Sequence, residues 1–185
     1  WKDYLSINFE NYDRGLIYRL DFETSGLILF AKTNEIYNSL RNTFSSSTKK
    51  KLYYALVEGN CSDHKDLVHF LSPSGKNGHK VLAHLTAERE SKRACISIKQ
   101  LRYDSAKQIS LVQVDLKEGH RHQIRVQLAK IGNPIIGDPL YSLRKARRMY
   151  LHCHQYEIQI DKELYLYTDK KSDQFLKFFD FDGEL

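Results

Sequence analysis

The sequence predicts an α+β fold, a mixed and mostly antiparallel sheet with helices packed on it. Three observations point there. Short runs rich in Tyr, Leu, Val and Ile follow one another with little but turn residues between them, as at 95–103 and 109–116 and again at 150–160 and 164–167. Helical spacing of apolar residues is confined to 34–44, 122–131 and a terminal piece at 174–179. Strands that follow strands pair as neighbours, and a few helices then cover a face of the sheet.

The elements come in the following order. Residues 16–20 and 27–32 read as two short strands around a turn holding Thr24, Ser25 and Gly26. Asn34 then caps a helix with Ile36, Tyr37, Leu40 and Phe44 on one face, ended by residues 45–48. Residues 52–58 form a strand. Residues 60–80, with Ser, Gly, Asn, Lys and Pro73, read as a loop interrupted by the apolar piece 67–71. A hairpin over 95–103 and 109–116 follows. A helix begins near His122, carries Ile124, Leu128 and Ile131, and ends at Gly132. A Gly- and Pro-punctuated turn at 134–140 leads to the last hairpin.

Composition sets the class. The chain has 185 residues, 41% hydrophobic and 28% charged, which describes one globular domain with enough length for a core. Three cysteines, Cys61, Cys95 and Cys153, form no C-x-x-C pair and suit a reducing cytoplasm. The longest apolar run, 27–31, is far below the roughly 20 residues of a membrane span. The first residue is Trp1, which reads as the start of a segment or trimmed chain. A net charge of +6 favours a polyanionic partner, with nucleic acid the commonest.

The residues that carry chemistry begin with Asp21, an acid that ends an apolar run and enters a tight turn. On position alone it is either a reactive group presented by a rigid scaffold or a turn-former bonded to its own backbone. The longer string Tyr18-Arg19-Leu20-Asp21-Phe22-Glu23-Thr24-Ser25-Gly26-Leu27 resembles the His-Arg-Leu-Asp-x-x-Thr-Ser-Gly-Leu signature of the RluA family of pseudouridine synthases. Lys51-Leu52-Tyr53-Tyr54-Ala55-Leu56-Val57 is similar to that family's Lys-x-Tyr-x-Ala-x-Val strand. Residues 119–141, with His122-Gln123-Ile124-Arg125-Val126 and Gly137-Asp138-Pro139-Leu140-Tyr141, resemble its third block, and Leu151-His152 fits the strand after it. The blocks keep the family order over roughly residues 14–180.

The resemblance implies a single pseudouridine synthase catalytic domain over 1–185, cut short at its N-terminus, because a strand and a Lys-Pro-x-Gly segment usually precede the Asp block. It implies an RNA uridine isomerase acting on ribosomal or transfer RNA, a cytoplasmic monomer that uses no cofactor and no metal. Asp21 would be the nucleophilic carboxylate at the ribose. Tyr53 would stack on the target uracil and assist the final deprotonation of its ring carbon. Arg125 would pair with Asp21. Arg19 would help displace the target base, whose flipping costs a few kcal/mol. His122 and Gln123 would contact RNA, as would two basic clusters, one ending in Lys51 and one made of Arg144, Lys145, Arg147 and Arg148. This chain departs from the family pattern at Tyr18, usually His, at Phe22, commonly Arg, at His120 and Arg121, and at Gln127.

Two other readings compete. His120, His122, His152 and His154 offer two H-x-H pairs to a metal-dependent hydrolase, although the first pair falls at a helix start, where residues two apart diverge. A non-catalytic RNA-binding or assembly protein on the same scaffold is the other, since a fold does not fix function.

Overall fold

The computed structural model describes residues 14–160 and 162–170. Its described strands form one eight-stranded sheet in the order β1-β7-β2-β6-β5-β3-β4, with β8 added to β7. The strands are β1 (Ser25–Gly26), β2 (Thr48–Glu58), β3 (His64–Ser74), β4 (Lys80–His84), β5 (Lys92–Asp104), β6 (Ile109–Leu116), β7 (Leu151–Ile160) and β8 (Glu163–Thr168), and the helices are α1 (Asn34–Ser47) and α2 (Gln123–Lys130). All pairings are antiparallel except β1 with β7. The α+β expectation holds, as do the two hairpins β5–β6 and β7–β8.

Period-two burial explains why β2 sits in the middle. Tyr53, Ala55 and Val57 face one main core with Val112 and Val114 of β6, Cys153 of β7, and Ile96 and Ile98 of β5. Leu56 faces the opposite side with Ile109, Leu111, Ile136 and Tyr150. Tyr37 and Leu40 of α1 and Ile124 and Leu128 of α2 belong to the main cluster, so both helices cover the Tyr53 face. The Phe44 side chain and the helix expected over 174–179 lie outside the described residues.

Three boundaries differ from the sequence reading. Residues 16–20 and 27–32 do not become strands. They meet through one bridge, Leu16 with Phe30, and through the Ile17 N–H to the Leu29 carbonyl at 2.9 Å, while Ser25 and Gly26 dock on β7 instead. A Cβ on Gly26, whose φ is +116°, would sit 2.2 Å from the Cys153 carbonyl oxygen, so only glycine permits this docking. The helix cap falls on Thr33 rather than Asn34, because Thr33 Oγ1 accepts the Ile36 N–H at 3.3 Å. The expected loop over 60–80 contains β3 and the start of β4. Its strand character is masked by polar residues on a half-exposed strand, by an irregularity between His64 and Leu67, and by Pro73. Beyond Leu71, among the described residues, β3 pairs with β4 alone, an edge setting where proline is tolerated.

Helix α2 begins directly after His122, its N-cap residue held at φ 53°, and ends as the sequence indicates. The Gly132 N–H bonds the Ala129 carbonyl at 3.1 Å and the Asn133 N–H the Leu128 carbonyl at 3.0 Å.

Candidate active site

The turn after residue 20 lifts Asp21 to the floor of a cleft. Ile17 anchors the incoming segment in the core, and the Thr24 N–H donates to the Asp21 carbonyl at 2.9 Å, closing a four-residue turn with Phe22 and Glu23 at its tip. The docking of β1 on β7 fixes the outgoing side. The cleft encloses about 470 Å³, and its walls include Arg19, Asp21, Phe22, Tyr53, His122 and Arg125.

Arg125, from the first turn of α2, is the organising group. Its side chain is 1% exposed. Nε donates to Asp138 Oδ2 at 2.7 Å and Nη2 to Asp138 Oδ1 at 2.8 Å, a two-pronged bond between fully buried partners. Nη1 points the other way and donates to Asp21 Oδ2 at 3.1 Å, with Glu23 Oε2 at 3.7 Å from the same nitrogen. Burial disfavours the guanidinium charge, but the hydrogen bonds and charge of Asp138, then of Asp21, outweigh it and raise its pKa. Asp138 Oδ1 also accepts the backbone N–H groups of Leu140 and Tyr141, at 2.9 and 3.2 Å. The carboxylate that grips Arg125 is thus held by its own turn.

Tyr141 completes this support. Its ring lies 5.5 Å from Arg125 Cζ. Its hydroxyl accepts the Val81 N–H at 2.9 Å and donates to the Val81 carbonyl at 3.1 Å. With that one proton committed, the contact to His122 Nδ1 at 3.0 Å requires the imidazole to donate. Burial, then Arg125, lowers the His122 pKa, so the neutral ring turns an acceptor Nε2 toward its surroundings in the cleft wall.

Tyr53 lines the cleft at 3% exposure, packed with Tyr18, Tyr156 and Cys153. Tyr18 and Tyr156 meet edge to face with centroids 5.9 Å apart. Burial, followed by the neighbouring Tyr156, raises the Tyr53 phenol well above its usual range.

The other expected residues divide. Arg19 is exposed at the cleft. Gln123 borders the cleft but is buried. Its Oε1 accepts the N–H groups of Gly119 and His120, both at 3.0 Å, and its amide donates to Glu118 at 2.8 Å, so it shapes the wall. Lys51, expected among the RNA contacts, is largely buried. It is 5% exposed because it shares the inward face of Tyr53, with Nζ 5.5 Å from the Tyr18 ring centroid, and burial lowers its pKa to about 8. None of Arg144, Lys145, Arg147 and Arg148 belongs to the cleft walls. Arg144 donates to the Lys107 carbonyl at 3.1 Å, Arg148 binds Ser25 Oγ, and Lys145 and Arg147 are exposed. The four histidines have separate engagements. His120 Nε2 donates to the Arg93 carbonyl at 3.0 Å, and His152 contacts Ser25 and Asp169. Among the described residues no group of three or more His, Cys, Asp or Glu converges as a metal site, and no helix is long and apolar enough to cross a membrane.

Sequence reasoning missed the roles of Asp138, Tyr141 and Glu23. Asp138 was visible only as a residue in a Gly-Asp-Pro turn, and nothing in that spelling links it to Arg125.

Two outcomes follow for stability. Asp138→Ala leaves a buried guanidinium without its main partner and is expected to cost about 3–5 kcal/mol in urea unfolding. Asp21→Ala, which removes one partly exposed contact, is expected to cost about 1 kcal/mol or less. Equal costs would contradict the assigned hierarchy. Lys51 gives a pH signature. Its folded pKa of about 8 lies below the ordinary 10.5, so the unfolded chain binds more protons between those values and stability rises with pH across that window. Relative to Lys51→Met, the wild type is expected to gain roughly 2 kcal/mol between about pH 7.5 and about pH 9.5. A flat difference would mean that Lys51 is not buried as a cation.

Comparison with known proteins agrees with this architecture. The sequence profile of the family described as RNA pseudouridylate synthase matches residues 2–130. An uncharacterized RNA pseudouridine synthase of Bacillus subtilis, YhcT, is 33% identical over 80% of this chain and 49% of its own length. An uncharacterized RNA pseudouridine synthase of Zymomonas mobilis is 33% identical over 83% of this chain and 75% of its own. The ribosomal large subunit pseudouridine synthase D of the same organism is 30% identical over 71% and 40%. The chain thus spans about half the length of several curated relatives. Among solved structures, human RNA pseudouridylate synthase domain containing 1 superposes with a TM-score of 0.74 at 23% identity, covering 85% of this chain and 69% of that one, a likeness of fold. With its three sequence blocks folded around one cleft and most of its length matched by that profile, the chain belongs to the RNA pseudouridylate synthase family.

Proposed function

We propose that this chain isomerises uridine to pseudouridine in structured ribosomal or transfer RNA, with Asp21 as the nucleophilic carboxylate and with no cofactor. The observation that carries the reading is the Asp21–Arg125 contact of 3.1 Å across 104 residues of sequence, at the floor of a cleft large enough for a nucleoside. A lone turn-forming aspartate does not require a fully buried guanidinium aimed at it.

The chemistry fits the groups present. Asp21 either attacks the anomeric carbon of the ribose or removes a ribose proton to give a glycal. In both routes the bond to the uracil nitrogen breaks, the base turns, and a ring carbon forms the new bond and then gives up its proton. Atoms are conserved and water is not consumed, so the paired acid and base of a hydrolytic glycosidase are not needed. Arg125 orients the carboxylate. Tyr53 supplies a face against which uracil rests. Its raised pKa keeps the phenol protonated at ordinary pH, which favours stacking and hydrogen-bond donation over a role as phenolate base. Arg19, exposed at the same cleft, helps hold the base out of its helix. Lys145 and Arg147 offer exposed charge to RNA phosphate outside the cleft.

Tritium release tests the reading. Cellular RNA labelled at carbon 5 of uridine, from cells lacking this gene, is treated with the wild-type chain and with Asp21→Ala. Release is expected from the wild type and none above background from the variant. Equal release from both would remove Asp21 from the mechanism, and none from either would favour a binding or assembly role.

A further inference from the structure

The Asp21–Thr24 turn carries a side chain that the proposed chemistry leaves unused. Phe22 is 101% exposed, as open as in an extended chain, although it lies in the cleft wall. Its two neighbours are both tied inward, because Asp21 and Glu23 face the same Arg125 nitrogen at 3.1 and 3.7 Å. The turn is closed at 2.9 Å by the Thr24 N–H. Phe22 is therefore a phenyl ring on a tethered tip. The exposed guanidinium groups of Arg19 and Arg121 belong to the same walls, while the carboxylates of Asp21 and Glu23 are turned to Arg125. Arg121 is also fixed, donating to the carbonyls of Gly78 and His79 at 2.7 and 3.0 Å.

An exposed ring among cations suits one kind of occupant best. A nucleic-acid strand presents phosphates to the positive groups and flat apolar faces to the phenyl, and such stacking tolerates any base. An apolar protein surface would have to desolvate the same cations without compensation. We propose that Phe22 is a stacking platform for an unpaired base next to the target uridine, and so a substrate-positioning residue. The inference rests on the RNA-modifying reading of the cleft. It assigns to this chain a neutral aromatic contact at the tip of the turn that carries Asp21. Preference for a target whose neighbouring nucleotide is unstacked follows from it.

Binding without turnover tests this independently of the chemistry. The probe is a nine-nucleotide single-stranded RNA, random except for one central uridine, with a fluorophore at its end. Affinities are measured for Phe22→Ala and Phe22→Trp in an Asp21→Asn background. Phe22→Ala is expected to weaken binding by roughly 5- to 150-fold, the range for losing one base–aromatic stack, whereas Phe22→Trp stays within about twofold. In a Trp1→Phe background the indole at position 22 becomes the sole tryptophan. RNA is expected to quench its fluorescence, and abasic residues on both sides of the uridine to abolish the quenching. Unchanged affinity for Phe22→Ala, quenching that survives the abasic substitutions, or a dimer dispersed by Phe22→Ala in sedimentation would each overturn the proposal. Failure of the isomerase reading would show instead as absent tritium release with these binding results intact.

Discussion

The buried guanidinium of Arg125 is the constraint on which the rest of the site depends. A charge removed from water is tolerated only when its donors are met, and here three of its nitrogens are met by two carboxylates on opposite sides. Asp138 takes the two-pronged side and is itself held by backbone N–H groups, so it acts as a fixed anchor. Asp21 meets the third nitrogen, Nη1, and keeps part of its surface open to the cleft. Strong interaction behind and single contact in front give a carboxylate that is oriented yet accessible.

That arrangement explains features of the fold that secondary structure alone leaves arbitrary. Helix α2 is only eight residues long, but nearly every side chain along its first two turns is buried. It sits between the main core, through Ile124 and Leu128, and a smaller cluster with Leu71, Val81 and Ala83, through Val126. The β3–β4 edge thereby supports Tyr141, which supports both Arg125 and His122. On the opposite wall, β1 docks on β7 through Gly26 and fixes the turn that carries Asp21. Sequence blocks that are far apart meet because the order β1-β7-β2-β6 places the strand of the Asp21 block near that of Tyr53, with α2 following directly from β6.

Much of this was legible from the sequence. Alternation in β2 and β6 and the helical spacing around Ile124 are local signals, and the structure follows them. The Asp21–Arg125 pairing was legible only through family resemblance, since no periodicity joins residues so far apart. The differences between sequence reading and structure have physical causes. Residues 16–32 look like strands because they are apolar and β-branched in part, yet their backbone groups are met irregularly and by β7. β3 reads as a loop because one of its sides is exposed and its apolar signal is halved. Lys51 reads as surface because lysine usually is, but the alternation set by Tyr53 turns it inward beneath Tyr18. Gln123, read as a contact residue, has its amide engaged in tying 118–120 to the helix start.

The measurement that bears most directly on this account is the single-turnover isomerisation rate of Arg125→Lys at saturating protein, beside its RNA affinity and a melting curve. Lysine keeps the charge but cannot hold Asp138 and Asp21 at once. Loss of that geometry is predicted to slow the chemical step by about 100-fold or more, while a folded variant binds RNA nearly as well as the wild type. A folded Arg125→Lys that isomerises uridine at the wild-type rate would contradict the claim that this buried fork positions the reacting carboxylate.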